Sequence, residues 1–386
     1  AGGGRFNAAF GWECAEWFAG SEQPQPATPG FHRQPSHTFV AREHAAVRNG
    51  VGVLDMSLMA KLSVQGPAAA AVLGRLSAND IDREVGRLVY TQWLDAAGGI
   101  AADVTVCRVA DDRFLVVAGD IIHRRIEPMI RRALRPGEVA VVTDVTSATT
   151  LLSVQGPASR ELLGRLTDAD LGNAAFPYLT AQHLHVGYAP VLVSRVTYVG
   201  ELGYELHVPT EYAMGVYDDL MAVGSDLGIR PVGLGAMASL RLEKGYRDMG
   251  VDIDNTDTPL GAGLGFAVAW DKPGGFIGRE ALLLARAAGP PQRRVVGVFV
   301  DDAQADLFGG EPVLLEGEWV GYVRAAAFGH TLGGPVGLAQ VECSTGVTAE
   351  WLRDGEFQVA TPARNLKARL QFAPFYDPQR LRILAQ

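Results

Sequence analysis

The strongest constraint on the fold is a stretch of fifteen residues that occurs twice. LSVQGPAAAAVLGRL begins at residue 62, and LSVQGPASRELLGRL begins ninety residues later at residue 152. The same spacing relates residues 114–117 to residues 204–207, so the similarity extends well beyond its best-matched part. Because a repeat of this length corresponds to a supersecondary unit, we expect two copies of one small fold.

Each copy has the pattern of a strand followed by a helix. In the first copy Leu62 and Val64 alternate as in a strand, and the Gly-Pro that follows ends it. A hairpin is predicted next, from residues 89–94 through the turn DAAGG (95–99) to residues 103–108. A second helix follows in each copy. We therefore predict an α+β fold in which two strand–helix–hairpin–helix halves are related by a pseudo-two-fold axis, with the functional residues near their junction.

The rest of the chain predicts an N-terminal arm and a C-terminal β domain, because 386 residues exceed one ordinary core. Residues 1–50 comprise an N-terminal arm and a helix at 40–49. Residues 1–30 are Gly-, Pro- and aromatic-rich, and the arm is expected to pack on the body. The two repeats, at about 51–145 and 146–284, make up a central region, 51–284. The composition of ARAAGPPQRR (285–294) is that of a linker. Residues 295–386 are predicted to form a barrel-like all-β domain, with strands at 295–300, 319–323, 336–341, 356–360 and 367–371.

Charge and cysteine content exclude several classes of function. The net charge of −9 disfavours nucleic acid as a partner. No apolar run reaches membrane-spanning length, so no membrane association is expected. Cys14, Cys107 and Cys343 share no motif spacing, which argues against a disulfide framework and against a zinc site or other metal centre. With no signal-peptide pattern at the start, the expected compartment is the cytoplasm.

Residues that serve function rather than fold are expected to differ between the two copies. At a fixed offset of ninety, Asp103 aligns with Val193 and Thr105 aligns with Arg195. Residues two apart on a strand share a face, so Asp103 and Thr105 are expected to point the same way. A buried carboxyl there has a raised pKa, which suits a general base. A solvated aspartate at the start of a strand fits the same spacing, and the pattern alone leaves both interpretations open.

Tyr198 and Glu205 differ between the copies in the same way, aligning with Arg108 and Leu115. They flank the turn at 200–203, which can place an aromatic ring beside a carboxylate. Such a ring can stack on a flat heteroaromatic ligand, and the carboxylate can accept two parallel N–H bonds. A core tyrosine and a solvated glutamate are the alternative interpretation.

A basic stripe is predicted in residues 231–250, which have the pattern of a loop entering a helix. Arg241, Lys244 and Arg247 recur every three residues and are expected on one helix face. This stripe either receives the carboxylate tail of a ligand or is a solvated face.

These residues lie in stretches that resemble the glycine-cleavage T-protein superfamily of tetrahydrofolate-dependent one-carbon transferases. The chain is most similar to the folate-binding C-terminal half of dimethylglycine and sarcosine dehydrogenases. The similar stretches run in order through most of the chain: FGWECAEWF (10–18), LSVQGPAAAAVLGRLSANDI (62–81), VYTQWLDAAGGIAADVTV (89–106), SRVTYVGELGYELHVP (194–209), LRLEKGYRDMGVDID (240–254), TPLGAGL (258–264), FIGREAL (276–282) and FYDPQR (375–380).

The resemblance implies a T-protein-like ring of three domains with tetrahydrofolate in a central channel. It implies that Asp103 is the catalytic carboxylate and that Thr105 lies beside it. It also implies that Tyr198 stacks on the pterin, that Glu205 holds the amidine edge of the pterin, and that Arg241 lies near the folate.

The chain departs from the family pattern at three places. Cys14 and Ala15 replace the last residues of the family's GWERP, and Gly261 replaces the carboxylate of TPLEAGL. Tyr246 stands where related iron–sulfur maintenance proteins carry a cysteine, which argues against that function. The loss of a carboxylate at Gly261 affects the expected substrate more than the expected folate site.

The implied activity is transfer of a methyl or methylene group between tetrahydrofolate and a small N-, O- or S-linked methylated substrate. One version captures a methylene group from an iminium made by a separate flavin amine oxidase, the expected protein partner. The other passes a methyl group directly and needs no oxidase. Two alternatives are a non-catalytic folate-binding protein, which needs no Asp103, and the folate half of a cut-down FAD-dependent amine dehydrogenase.

Overall fold

The structure is a computed structural model that describes residues 2–9, 11–28 and 30–385. Phe10, the first residue of the FGWECAEWF stretch, lies outside these ranges. The arm forms a hairpin of β1 (Gly4–Ala9) and β2 (Trp12–Phe18), followed by α1 (His37–Asn49) and β3 (Gly52–Asp55). The Trp17 ring stacks on Phe39 of α1 at a centroid distance of 4.9 Å, so the hairpin packs on the body of the protein. No helix within the described ranges is long and apolar enough to cross a membrane.

The two sequence repeats form two similar units. The first contains β4 (Ala60–Gln65), α2 (Ala69–Leu76), β5 (Leu88–Leu94), β6 (Ile100–Ala110), β7 (Arg113–Ala118), α3 (His123–Ala133) and β8 (Val141–Asp144). The second contains β9 (Thr149–Gln155), α4 (Ser159–Gly164), β10 (Ala181–Val186), β11 (Ala189–Ser194), β12 (Gly203–Pro209) and α5 (Ala213–Val223). The predicted α+β repeat of strand, helix, hairpin and helix is therefore confirmed, with a further strand before the second helix.

The two units exchange a strand. The sheet of the first unit has the order β5-β6-β7-β4-β8, and that of the second has the order β10-β11-β12-β9-β3 followed by β13 (Arg230–Pro231). Strand β3 precedes the first repeat in sequence but pairs with β9, whereas β8 precedes the second repeat but pairs with β4. Strands β3 and β8 thus lie directly before the two repeats in sequence, and each pairs with the first strand of the other repeat, so the two units are intertwined.

The second hairpin is shorter than the first, which changes the residue equivalences. Val106 pairs with Val116 in the first unit, whereas Val193 pairs with Leu206 in the second. Because Val116 and Leu206 keep the offset of ninety, Val193 is the counterpart of Val106, only eighty-seven residues away.

The fixed-offset alignment is therefore wrong within the hairpin. The same registers make Pro190 the counterpart of Asp103 and Arg195 the counterpart of Arg108, so Tyr198 is not opposite Arg108 in the repeat. The pairings of Asp103 with Val193 and of Thr105 with Arg195 are likewise incorrect. The expectation that functional residues differ between the two copies still holds, because none of the candidate residues recurs in the other unit.

Two helices and a β-barrel complete the chain: α6 (Leu234–Glu243), α7 (Arg279–Ala287), β14 (Arg293–Val300), β15 (Pro312–Leu315), β16 (Glu318–Gly329), β17 (Gly334–Glu342), α8 (Ala349–Asp354), β18 (Phe357–Ala360) and β19 (Asn365–Gln371). Six strands close into a barrel in the order β14-β17-β16-β15-β18-β19, which confirms the predicted all-β C-terminal fold. The sequence pattern missed β15. Residues 285–287, which the composition assigns to a linker, end α7 instead.

Each of the two sheets packs one face against its own apolar core and turns its other face towards the other sheet. Val104 and Val106 on one sheet, and Tyr204 and Leu206 on the other, point into separate apolar cores. The opposite faces carry the alternate residues of the same strands. A small apolar cluster with Leu88, Cys107 and Leu115 from the first sheet and Ala181 and Leu192 from the second joins these opposite faces. Asp103 and Glu205 therefore lie on faces that are turned towards each other.

A buried charged cluster connects the arm, the second repeat and the barrel. Arg48 on α1 forms salt bridges with Glu201 at 3.1 Å and with Glu243 at 2.8 Å, and all three side chains are almost fully buried. Glu243 also accepts a hydrogen bond of 2.8 Å from the Thr331 amide of the barrel, and the Tyr376 hydroxyl donates to Glu201 at 2.6 Å. We call these five residues the central charge cluster.

Removing one carboxylate from the central charge cluster is expected to destabilise the protein strongly. Glu243→Ala leaves the Arg48 guanidinium with one carboxylate fewer in a buried site, which costs about 3–5 kcal/mol. Chemical denaturation of the variant measures this loss. Glu127→Ala is the matched control, because Glu127 forms an exposed salt bridge with Arg131, worth less than about 1 kcal/mol. Equal losses in the two variants would contradict the assignment.

Candidate active site

Asp103 is held in a fixed orientation by its neighbours across the hairpin. The strand register places Gln92 opposite Asp103 and Tyr90 opposite Thr105. The Gln92 side-chain amide donates to one carboxylate oxygen at 2.8 Å, and the Tyr90 hydroxyl donates to the other at 3.0 Å. Both oxygens therefore have a defined donor, and the carboxylate cannot rotate freely.

The surroundings of Asp103 make it a stronger base than an ordinary aspartate. Burial raises the pKa of its carboxyl to about 6, and Asp248 acts in the same direction, while the bonds from Gln92 and Tyr90 oppose the shift. The side chain is nonetheless partly accessible. The carboxylate is mostly ionised at neutral pH and close to its pKa, as general-base catalysis requires.

Thr105 lies on the same strand face as Asp103, as predicted from the spacing of two. Its neighbours across the sheet are Tyr90 on β5 and Val117 on β7. The side chain is half-buried, and within the described ranges its hydroxyl makes no hydrogen bond. Thr105 therefore adds a free hydroxyl to the surface beside Asp103.

Tyr198 forms an aromatic wall next to Asp103. Its ring lies parallel to the Tyr246 ring, with a centroid distance of 5.9 Å and an interplanar angle of 10°. Its hydroxyl donates to the Arg247 carbonyl at 2.7 Å. Burial raises the pKa of Tyr198, and Asp248 and Asp103 add to the shift, so the ring lies in the same acidic environment as Asp103. The Asp103 charge therefore acts on Tyr198, which comes from the other repeat.

Glu205 lies on the facing sheet, opposite Ser153 on β9 and Ser194 on β11. Burial raises the pKa of its carboxyl to about 7, and Lys61 lowers it. The carboxylate accepts no hydrogen bond from any residue in the described ranges. Two further buried atoms on the same face, Ser194 Oγ and His207 Nδ1, also have no partner there. This face therefore offers a carboxylate and neighbouring polar atoms that the protein itself leaves unused.

Arg241 is paired within the protein, near the end of α6. It is buried and forms a salt bridge with Asp252. The helix ends at Glu243, and Gly245 at φ +65° turns the chain, so Arg247 is not on the same helix face. The prediction of a single helical stripe is therefore wrong. Lys244 is likewise committed, to Asp377 at 2.9 Å.

The sequence analysis missed four residues that surround the candidates: Tyr90, Gln92, Lys61 and His207. Lys61 and His207 could have been found in the same way as Glu205, because both differ between the two repeats. At the offset that holds for these strands, Lys61 aligns with Leu151 and His207 aligns with Val117. Tyr90 and Gln92 required the register of the hairpin, since their role depends on which residues they face.

A surface groove of about 610 Å³ lies away from these residues. It is lined by Ala96, Lys272 and residues 274–280. The Lys272 ammonium is already held by the backbone carbonyl oxygens of Gly74, at 2.7 Å, and Asn79, at 3.0 Å. The Arg279 guanidinium in turn donates to the Trp270 carbonyl oxygen at 3.0 Å, so both cations of the groove are already engaged. The facing sheets, not this groove, combine perturbed carboxyls with unused polar atoms.

The state of Glu205 predicts an unusual pH dependence of stability. A carboxyl whose pKa rises from 4.5 to about 7 on folding stabilises the protein below pH 4.5, and this contribution is lost as the pH rises through 7. Glu205→Gln should therefore be more stable than the wild type at pH 8, by about 1–3 kcal/mol, and similar to it near pH 4.5. Thermal denaturation at both pH values measures the difference, and a stabilisation that is independent of pH would contradict the assignment.

Comparisons with known proteins agree with this architecture. The "GCVT N-terminal domain" family model matches residues 1–272, and the "Glycine cleavage T-protein C-terminal barrel domain" model matches residues 293–377. The structure of the glycine cleavage system aminomethyltransferase T from Bartonella henselae superimposes with a TM-score of 0.82, at 25% identity, covering 98% of this chain and 95% of that one.

Two groups of relatives differ in length. 4-Methylaminobutanoate oxidase (formaldehyde-forming) of Paenarthrobacter nicotinovorans is 38% identical over 98% of this chain, which spans only 45% of that relative. An aminomethyltransferase of Halothermothrix orenii is 36% identical over 81% of this chain and 86% of its own length. The chain thus spans less than half of the longer relatives and most of the shorter ones. With both family models matched in order along the chain, the protein belongs to the glycine-cleavage T-protein (aminomethyltransferase) family.

Proposed function

We propose that this protein transfers a one-carbon unit from a small secondary amine to tetrahydrofolate. The observation that carries the proposal is the oriented Asp103 carboxylate, fixed by Tyr90 and Gln92 and lying beside the Tyr198 ring. Family membership and the printed names of the relatives, an aminomethyltransferase and an amine oxidase that forms formaldehyde, support a donor in which the carbon is bound to nitrogen.

The residues between the sheets fit a reduced pterin. Its amidine-like edge presents two parallel N–H groups, which match a carboxylate acceptor such as the unpartnered Glu205. Its flat ring matches the Tyr198 ring, which is partly accessible and lies parallel to the Tyr246 ring. Thr105 and the unpartnered Ser194 Oγ supply further polar atoms. In this proposal Glu205 and Tyr198 hold the ligand, while Arg241 supports the site through its salt bridge with Asp252.

Tetrahydrofolate supplies the amine nitrogen that accepts the carbon. The proposed role of Asp103 is to take the proton that this nitrogen loses, on the carboxylate oxygens that Tyr90 and Gln92 orient. Tyr90 and Gln92 keep those oxygens in place and favour the ionised form of the carboxyl. The partly enclosed position of Asp103 limits water near the reacting atoms.

An N-methyl amine must be oxidised before its carbon can leave at the methylene level. The amine loses two electrons and a proton to form an iminium, so an electron acceptor is required, and a flavin fits this requirement. We infer that a flavin-carrying domain or a separate flavin amine oxidase supplies the iminium. Incubation of the protein with tetrahydrofolate and candidate amines, with and without such an oxidase, tests this, because the product mass distinguishes a methylene from a methyl group.

The free thiols of Cys14, Cys107 and Cys343 favour a reducing compartment such as the cytoplasm.

Asp103→Asn is expected to abolish most turnover without disturbing the fold. Asparagine keeps the shape and the neighbours of the side chain but cannot accept a proton, and loss of a positioned general base lowers the rate by about 10²–10⁴-fold. Steady-state turnover and ligand affinity are measured on the same preparation. Asp226→Asn is the control, because Asp226 is an exposed carboxylate paired with Arg165. Wild-type turnover of Asp103→Asn would refute the proposed mechanism, and loss of melting temperature without a specific loss of turnover would indicate a structural role.

The rate should also fall at low pH, with a midpoint set by Asp103. A base works only when ionised, so turnover is expected to decrease as the pH drops through about 6. Tyr90→Phe removes a hydrogen bond to the ionised carboxyl and should move this midpoint upwards by about one pH unit, because such a bond contributes about 1.5 kcal/mol. pH–rate profiles of the two proteins test this, and an unchanged or lower midpoint in Tyr90→Phe would contradict it.

A further inference from the structure

Lys61 is a buried cation without a carboxylate partner. It lies on β4, is 0% exposed, and its ammonium donates to the carbonyl oxygens of Ser57 at 2.9 Å and Met59 at 2.8 Å. Within the described ranges no carboxylate lies within 4.0 Å of this ammonium. Lysines are rarely buried unless they are paired, since removing an ammonium from water is costly. Packing alone therefore does not explain why a lysine is buried at this position.

The fold does not require a lysine at this position. The strand registers make Leu151 on β9 the counterpart of Lys61, since Lys61 pairs with Val117 in the first unit and Leu151 pairs with His207 in the second. Leu151 is also buried, at 1% exposure. An apolar side chain thus fills the equivalent site, and the charge of Lys61 is a property of one repeat only.

Backbone contacts bring the Lys61 ammonium to the strand that carries Glu205. Residues 56–59, which hold the ammonium, connect β3 of one sheet to β4 of the other. The Ser57 hydroxyl accepts a hydrogen bond of 3.1 Å from the Leu151 amide, and Leu151 lies directly opposite His207. Glu205 is two residues before His207, on the same face of β12. These contacts place the Lys61 ammonium near the strand that carries the unpartnered carboxylate, and its charge lowers the pKa of Glu205.

We propose that Lys61 is a positioning residue that keeps Glu205 ionised and thereby sets the pH range over which the protein binds its pterin ligand. This inference rests on the proposed function, in which the Glu205 carboxylate accepts two N–H bonds. A protonated carboxyl has one acceptor fewer and presents a hydrogen to the ligand edge. Lys61 acts through Glu205 and need not touch the ligand.

The other groups around Glu205 do not replace Lys61. Burial lowers the pKa of His207 to about 3, so this imidazole is neutral at physiological pH. Burial raises the pKa of the Tyr178 phenol, which is therefore neutral as well. Burial lowers the pKa of Lys61 to about 8, and the charges of Asp55 and Asp144 oppose this shift and help to keep Lys61 protonated. Lys61 is thus the positive charge that acts on Glu205.

The first test measures the affinity for tetrahydrofolate between pH 5.5 and 8, under anaerobic conditions, by calorimetry. Wild-type affinity should fall as the pH drops through about 7. Lys61→Met should move the midpoint upwards by about one pH unit, which makes binding about tenfold weaker at pH 6. Lys61→Arg should restore the wild-type profile, and Glu205→Gln should show no such dependence. The same midpoint in Lys61→Met and the wild type would overturn the inference.

The second test needs no ligand. The stabilisation that Glu205→Gln confers reports ionisation of Glu205, so it is measured against pH by thermal denaturation, once in the wild-type background and once in the Lys61→Met background. The rise should begin near pH 4.5 in both backgrounds but continue to a higher pH, and reach a larger stabilisation, in the Lys61→Met background. Superimposable curves would overturn the inference. Lys61→Gln replaces Lys61→Met in both tests if the methionine variant does not fold. Failure of wild-type protein to bind tetrahydrofolate at any pH would instead refute the proposed function.

Discussion

The arrangement of the whole protein depends on the buried salt bridges of Arg48. One guanidinium on the helix that follows the arm contacts Glu243 at the end of α6 and Glu201 in the loop before β12. Glu243 in turn binds the barrel through the Thr331 amide, and Glu201 binds the C-terminal segment through Tyr376. Since each charge is buried, removing any one weakens the compensation of those that remain. These contacts fix five parts of the chain relative to one another.

The position of the barrel follows from this cluster and from shared apolar packing. Val295, Phe299 and Val336 belong to barrel strands but pack into the core of the first repeat. The barrel therefore completes that core as well as enclosing its own. Together with the exchanged strands β3 and β8, this packing gives the two facing sheets a fixed separation. A site built from residues on both sheets needs such rigidity, because small displacements weaken oriented hydrogen bonds.

The candidate site contains ionisable and polar groups whose burial destabilises the folded protein. Burial raises the pKa of Asp103 to about 6 and that of Glu205 to about 7, so both carboxyls are less favourable when ionised than they are in water. The unpartnered polar atoms of Gln92, Ser194 and His207 add to this cost. Perturbed ionisable groups of this kind concentrate at functional sites. A ligand that satisfies them would recover part of the cost on binding.

The secondary-structure elements, and the faces to which their residues point, could be predicted from the sequence. Local periodicity and turn residues were enough to predict the α+β repeat, the hairpin at 89–108, the C-terminal β fold and the common face of Asp103 and Thr105, because these depend on neighbours in sequence. The family resemblance was also readable from ordered stretches along the chain. The roles of Asp103, Thr105, Tyr198, Glu205 and Arg241 stay predictions.

Contacts between residues that are distant in sequence became known only from the packing of the folded chain. The shorter second hairpin, which invalidated the fixed offset, became visible through strand registers. The burial of Arg241 against Asp252, and the approach of Lys61 to the strand of Glu205, result from packing between separate elements. Periodicity encodes the side of a strand to which a residue points, whereas the group it meets there depends on how whole sheets and helices pack.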